Sequence, residues 1–286
     1  MFNRPSSNRT TASGVLPWRG ALTRTGAATR TAAVACLAAA VCATTLTGTA
    51  GAVINGEDST RRHSFMVSLP YSDGTQCGGS LISPRWVVTA AHCVHPTTSV
   101  PITEVRVGTE SRTSGGSLRG VERTVVHPDF RFEQGGIVLE NDIALIRLDR
   151  PVGQRPVRIA DRIAPVGTTT RAMGWGTTVD GEYRLPERLQ QLDLKLAAPG
   201  VCTLRTAREI CAISPDPAAN VCGGDSGGPL LQRSANGKRW ELIGAVNRDG
   251  NGDVDERCLG GPATWADIPA HRPWIDAVIE RDGGRT

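Results

Sequence analysis

Three short segments hold residues whose types could do nucleophilic chemistry together: His92 in TAAHC (89–93), Asp142 in NDIALIRL (141–148) and Ser226 in CGGDSGGPL (222–230). A serine hydroxyl is a poor nucleophile at neutral pH and attacks only when a base takes its proton. An imidazole, with an ordinary pKa of ~6.5, can take that proton and later return it to a leaving amine. A buried carboxylate beside the imidazole would fix its tautomer and stabilise its cation. Asp129 and Asp149 are rival candidates for that carboxylate. Taken singly, each segment has a plainer explanation. A histidine beside a disulfide cysteine is commonly structural, an aspartate before an apolar run often ends a turn, and a glycine-rich stretch is usually a loop.

The elements that would position these residues read as strands. The runs FMVSLP (65–70), WVVTA (86–90), EVRVG (104–108), IALIRL (143–148), LDLKLA (192–197) and ELIGAV (241–246) are β-branched or alternate apolar with polar. Turn sequences such as SDGT (72–75) and SANGK (234–238) separate them. Helical spacing comes only at the end, where Trp274, Ile275, Val278 and Ile279 follow Pro273, a favourable first-turn residue. The pattern predicts an all-β body, sandwich or barrel, with one C-terminal helix.

The chain has 286 residues, 39% hydrophobic and 21% charged, which is ordinary globular composition. Its formal net charge of +4 is unevenly placed: residues 1–52 hold five arginines and no Lys, Asp or Glu, so without them the remainder carries −1. The basic balance therefore argues for no nucleic-acid or acidic partner. The same segment runs into the apolar stretch TAAVACLAAAVCATTL (31–46) and ends in Ala50-Gly51-Ala52, the form of a secretory signal. As a membrane anchor that stretch is short, and no adjacent arginine pair precedes it; a lipoprotein site at Cys36 is a further reading. Eight cysteines leave six after residue 52, with no CxxC pair, which disfavours zinc and reads as three disulfides of open connectivity. The acidic run DGNGDVDE (249–256) lacks glycine at its sixth position (Val254) and glutamate at its twelfth (Gly260), so it reads as a solvated turn and no metal is expected.

Together and in this order, TAAHC, NDIALIRL and CGGDSGGPL resemble the chymotrypsin-like (trypsin-fold) serine endopeptidases, over nearly the whole chain beyond residue 52. The resemblance is to a bacterial-type member without a basic residue at its activation site. It implies two six-stranded Greek-key β-barrels, at about 53–165 and 166–286, behind a signal at 1–52, with the C-terminal helix. It implies that Ser226 is the nucleophile, His92 the base and Asp142 the orienting carboxylate, with the backbone N–H groups of Gly224 and Ser226 receiving the oxyanion. It pairs Cys77 with Cys93, Cys222 with Cys258 and, by remainder, Cys202 with Cys211. It puts Asn220 at the floor of the P1 pocket beside Val221, with Ala263 or Thr264 on the far wall.

Trypsin-like members of the family carry aspartate at the pocket floor. The neutral Asn220 therefore predicts uncharged P1 residues, since an unpaired cation in a desolvated pocket is costly. Asn247-Arg248-Asp249 stands where the family has Ser-Trp-Gly, the edge that pairs with substrate backbone; a slip of one in that alignment would let Asp249 restore some preference for basic side chains. Val53-Ile54-Asn55-Gly56 resembles the family's mature N-terminus, whose α-amino group pairs with the carboxylate at Asp225. Ala52 stands where relatives have Arg or Lys, so signal removal at Ala52–Val53 is itself the expected activating cut, the alternative being a slightly earlier signal cut followed by trimming. The resemblance thus implies a secreted, monomeric endopeptidase acting on proteins or peptides, with no cofactor, nucleic acid or lasting membrane contact. The alternative is a protease-fold binding protein that does not cut, which the presence of His92, Asp142 and Ser226 disfavours and the 247–249 edge alone supports.

Overall fold

The computed structural model describes residues 53–133, 136–203, 205–250 and 258–283, with the backbone alone at 133, 136–139 and 249. The expected leader, 1–52, and most of the acidic run at 249–256 lie outside the described residues.

In chain order the strands are β1 (Glu57–Asp58), β2 (Met66–Pro70), β3 (Gln76–Ser83), β4 (Trp86–Thr89), β5 (Glu104–Val107), β6 (Ser117–Val126), β7 (Arg131–Glu133), β8 (Gly136–Glu140) and β9 (Ala144–Leu148). They continue with β10 (Thr169–Gly174), β11 (Gln190–Leu196), β12 (Glu209–Ile213), β13 (Pro229–Arg233), β14 (Trp240–Asp249) and β15 (Pro262–Asp267). One barrel closes in the order β2-β3-β4-β9-β6-β5. The second runs β11-β10-β13-β14-β15-β12 and closes where β12 pairs back with β11. The two six-stranded antiparallel barrels are the all-β architecture expected. β1 adds to the second barrel, with Glu57 opposite Gln191, so the first described residues cross to the far half of the molecule.

Many of the core strands are buried on both faces, β2 and β4 along nearly their whole length. Val67, Leu69, Leu81, Val87, Val105, Leu145 and Ile146 pack in the cluster around the first barrel, and Ala172, Leu194, Leu230, Ile243 and Trp265 in that of the second. Each fully buried aliphatic or aromatic side chain contributes roughly 1.5–3 kcal/mol. Helix α1 (Ile268–Arg281) starts earlier than the sequence suggests. Asp267 caps it by accepting from Ala270 N at 2.8 Å, Pro269 lies in the first turn, and Pro273 falls inside the helix. Pro273 lacks the N–H that would bond the carbonyl of Pro269; that carbonyl is still within the first turn, and the exposed proline is tolerated there.

The barrel ends bring the motifs together. β4 pairs antiparallel with β9, Thr89 opposite Ala144, so His92 just beyond one strand and Asp142 just before the other emerge at the same end. Ser226, ahead of β13, is tied to the first barrel by Gly78 N donating to its carbonyl at 2.7 Å.

Candidate active site

His92 sits in a short 3-10 turn, Ala91–Cys93, that continues β4. Asp142 is 1% exposed, and both of its oxygens face this residue: His92 N donates to Oδ1 at 2.8 Å, and the imidazole Nδ1 lies 2.7 Å from Oδ2. The rivals Asp129 and Asp149 are exposed, and Asp149 pairs with Arg150. Burial pulls the His92 imidazole down, but the Asp142 charge and hydrogen bond outweigh it, so the pKa stands above its ordinary value; Arg248 acts weakly against them. The remaining ring nitrogen, Nε2, is 3.6 Å from Cys93 Sγ. Among the described residues no hydrogen bond joins it to Ser226 Oγ, a contact that commonly tightens only on substrate binding.

The Ser226 loop is held from both sides. Gly227 N donates to Val246 O and Val246 N to Gly228 O, each at 2.8 Å, fastening it to β14. Gly224 has φ 96°, and a Cβ there would lie 2.8 Å from Leu185 Cδ2 and 3.0 Å from Gly176 Cα, so only glycine fits. Among the described residues the N–H groups of Gly224 and Ser226 donate to no protein acceptor, whereas Asp225 N, Gly227 N and Gly228 N all do. Disulfides join Cys77 to Cys93, Cys202 to Cys211 and Cys222 to Cys258. The tightest grouping of potential metal ligands among the described residues is Cys77, His92 and Cys93, whose two sulfurs are bonded to each other.

Beside Ser226 a cavity of about 160 Å³ is lined by Asn220, Val221, Gly223, Val246, Arg248 and Ala263, among others. Both N–H groups of the Asn220 amide are engaged. Nδ2 donates to Cys258 O at 2.9 Å and Gly261 O at 3.2 Å, and Oδ1 accepts from Val221 N at 2.9 Å. Thr264 turns away from the cavity and donates to Arg248 O at 3.2 Å. A β-bulge between Val246 and Arg248 displaces Asn247, which donates to Glu209 Oε1. Arg248 forms a two-pronged ion pair with Glu209, the side chains 5% and 2% exposed, and Thr206 N also donates to Glu209 at 2.6 Å. The backbone of Asp249 pairs opposite Ala263, and its side chain lies outside the described residues. Glu209, in AREICAI, carried no signal in the sequence; only the barrel closure brings it under the 247–249 edge.

Val53 is fully buried among second-barrel residues such as Ala160, Leu230 and Val221. Ile54 and Asn220 exchange backbone hydrogen bonds of 3.0 and 3.2 Å, docking this segment beneath the pocket floor. Asp225, 1% exposed, accepts from Gly176 N at 2.8 Å and Cys222 N at 3.0 Å, and a Cβ on Gly176 would collide with its carboxylate. Burial pushes its carboxyl up to about 7 against those two donors, and no cationic side chain among the described residues pairs with it.

A family model described as trypsin matches residues 53–275. The chain is 34% identical over 243 residues to trypsin iota of Drosophila melanogaster, covering 79% of this chain and 87% of that protein. It is 32% identical over 247 residues to a trypsin of Sarcophaga bullata, covering 80% and 90% of the two chains. It is 32% identical over 214 residues to human kallikrein-14, covering 71% and 74%. These relatives are from insects and man, and they lend nothing to the narrower resemblance to bacterial-type members.

Proposed function

Because the chain belongs to the trypsin family of serine endopeptidases, we propose that His92, Asp142 and Ser226 carry peptide-bond hydrolysis as base, orienting carboxylate and nucleophile. The observation that supports this most is the double contact of His92 with the buried Asp142. With Nδ1–H committed to the carboxylate, Nε2 is free of its proton and can accept that of Ser226 Oγ as the hydroxyl attacks the scissile carbonyl. The carbonyl oxygen takes up negative charge and is met by the unengaged N–H groups of Gly224 and Ser226. The imidazolium then protonates the leaving amine, and water hydrolyses the acyl-enzyme by the same steps in reverse order.

The P1 pocket takes uncharged side chains. Its floor residue, Asn220, has no charge and no spare N–H, and Arg248 on its wall is bound to Glu209. Among the described residues that line the cavity, none offers a carboxylate to a substrate Arg or Lys. The substrates are proteins or peptides met outside the cell after export directed by residues 1–52. Signal removal between Ala52 and Val53 frees an α-amino group to pair with Asp225. That group supplies the cation the buried carboxylate needs, and absence of one partner of such a pair costs about 3–5 kcal/mol. Labelling of the secreted protein with a fluorophosphonate tests the assignment: wild type is labelled and Ser226→Ala is not, whereas a folded wild type that resists the probe overturns it.

A further inference from the structure

Behind the His92–Asp142 pair lies a cluster that these steps leave unused: the half-buried Asn141 and the buried His127 and His271. Asn141 is left-handed, φ 48°, a conformation that asparagine adopts more readily than other residues with a side chain. Its carbonyl accepts from Ile143 N at 2.7 Å, closing a three-residue turn with Asp142 at the centre. The Asp142 carboxylate receives both of its hydrogen bonds from His92, and among the described residues no other donor reaches it. Its direction is therefore set from behind, by the turn, and the turn depends on what holds Asn141.

The Asn141 side chain is held at two ends. Nδ2 donates to Asp129 O at 3.1 Å, and Oδ1 faces Nε2 of His271 at 3.3 Å. His271 arrives from α1, wholly buried, with Nδ1 2.6 Å from the carbonyl of Asp267. Its ring meets His127 edge-on at 5.3 Å, and His127 packs on Trp274 of the same helix. His127 in turn donates its backbone N–H to Ile143 O at 3.1 Å, on the other side of Asp142. The C-terminal helix thus reaches both flanks of the turn.

Both nitrogens of His271 face acceptors, and Asn141 cannot reverse its amide without losing Asp129 O. A neutral ring has one N–H and satisfies one of them; an imidazolium satisfies both. Burial, and then Arg208, oppose the second proton, while the Asp267 carbonyl and charge favour it, and the balance lies below the ordinary value. His127 is held down too, by burial first and then by His271 and Arg208, against Asp129.

We infer that His271 is a positioning residue for the reaction: by holding Asn141 it fixes the turn that aims the Asp142 carboxylate at His92. This rests on the assignment of His92, Asp142 and Ser226 above. The test measures kcat, KM and the acidic limb of kcat/KM for wild type, His271→Phe, His271→Gln, Asn141→Gly and the His271→Phe/Asn141→Gly double variant, with active sites counted by fluorophosphonate. His271→Phe and Asn141→Gly are each expected to lower kcat about three- to tenfold, with KM within about twofold. Both should move the acidic limb to lower pH, because a loosened Asp142 raises His92 less. Glutamine at 271 offers Asn141 an N–H at every pH and recovers most of the loss. The double variant is no worse than the poorer single one. Wild-type kcat and limb in His271→Phe, equal losses for phenylalanine and glutamine, or additive losses overturn the inference. Should His271→Phe fail to fold, an unchanged limb and kcat in Asn141→Gly do so. If folded wild type is not labelled, the catalytic assignment falls and this falls with it; if it is labelled and the variants are unchanged, this inference falls alone.

Discussion

At the scale of single residues, His92 and Asn220 give the most direct predictions. His92 can act as a base only when neutral, so activity rises with pH as its imidazolium loses a proton. Asp142 holds that pKa above the ordinary value, which puts the midpoint of the acidic limb of kcat/KM above about 6.5. Asp142→Asn removes the charge, moves the limb down and lowers kcat on the order of 10⁴-fold by admitting the wrong tautomer. Asn220→Asp tests the pocket. A carboxylate there would face Cys258 O and Gly261 O in place of the two N–H donations that Asn220 now makes. Thermal unfolding should show a loss of roughly 1–3 kcal/mol before any basic substrate is added, and Arg at P1 should be accepted only by this variant. A wild type that prefers Arg or Lys in peptide-library cleavage would refute the reading of Asn220. The proposed catalytic residues could be read from the sequence because each sits in a contiguous motif. Glu209 was not, because it has no sequence neighbour that shares its role.

At the scale of elements, the β14 edge departs from the family's pattern through its partners. Glu209 gathers Asn247, Arg248 and Thr206 N, so a carboxylate from β12 holds the edge along which substrate backbone would lie. Glu209→Ala removes an ion-pair partner from a buried guanidinium and should cost about 3–5 kcal/mol in chemical unfolding. Glu209→Gln, which keeps the shape but not the charge, should lose less; equal losses would mean that packing, not charge, is what Glu209 supplies. Strands with branched apolar runs, β2, β4, β5 and β9, were readable from their sequences. β3 was not, because QCGGSLIS carries two glycines and looks like a loop. Nor was β6, because SLRGVERTVV turns charged side chains to solvent. Both are strands because the barrel cannot close without them: β3 joins β2 to β4, and β6 joins β5 to β9. Long-range pairing overrode local propensity there. The helix start was misplaced for a different reason. Pro273 looks like a first-turn residue, but the capping aspartate six residues earlier decides the boundary.

At the scale of the whole molecule, residues 53–58 belong to the second barrel although they precede the first: Ile54 is hydrogen-bonded to Asn220, and β1 pairs with β11. The proposed pairing of a free Val53 terminus with Asp225 would link the state of the chain at Val53 to the oxyanion loop. While Val53 remains joined to Ala52, the Asp225 carboxyl is buried with only two N–H donors and has its pKa raised to about 7. A carboxyl with a raised folded-state pKa binds protons in the folded chain that the unfolded chain has already lost between about pH 4 and 7. Stability of the uncleaved chain must therefore fall as pH rises through that window, by an amount on the order of a few kcal/mol. In the proposed activation, cleavage at Ala52–Val53 would supply an ammonium group, lower the carboxyl's pKa and abolish the fall. Unfolding of Ser226→Ala protein followed from pH 4 to 8, with and without residues 1–52, measures the difference without self-digestion. The uncleaved form should lose stability above pH 5 while the form starting at Val53 does not. Parallel curves, or an active secreted enzyme whose N-terminus lies upstream of Val53, would show that Asp225 does not depend on the new terminus.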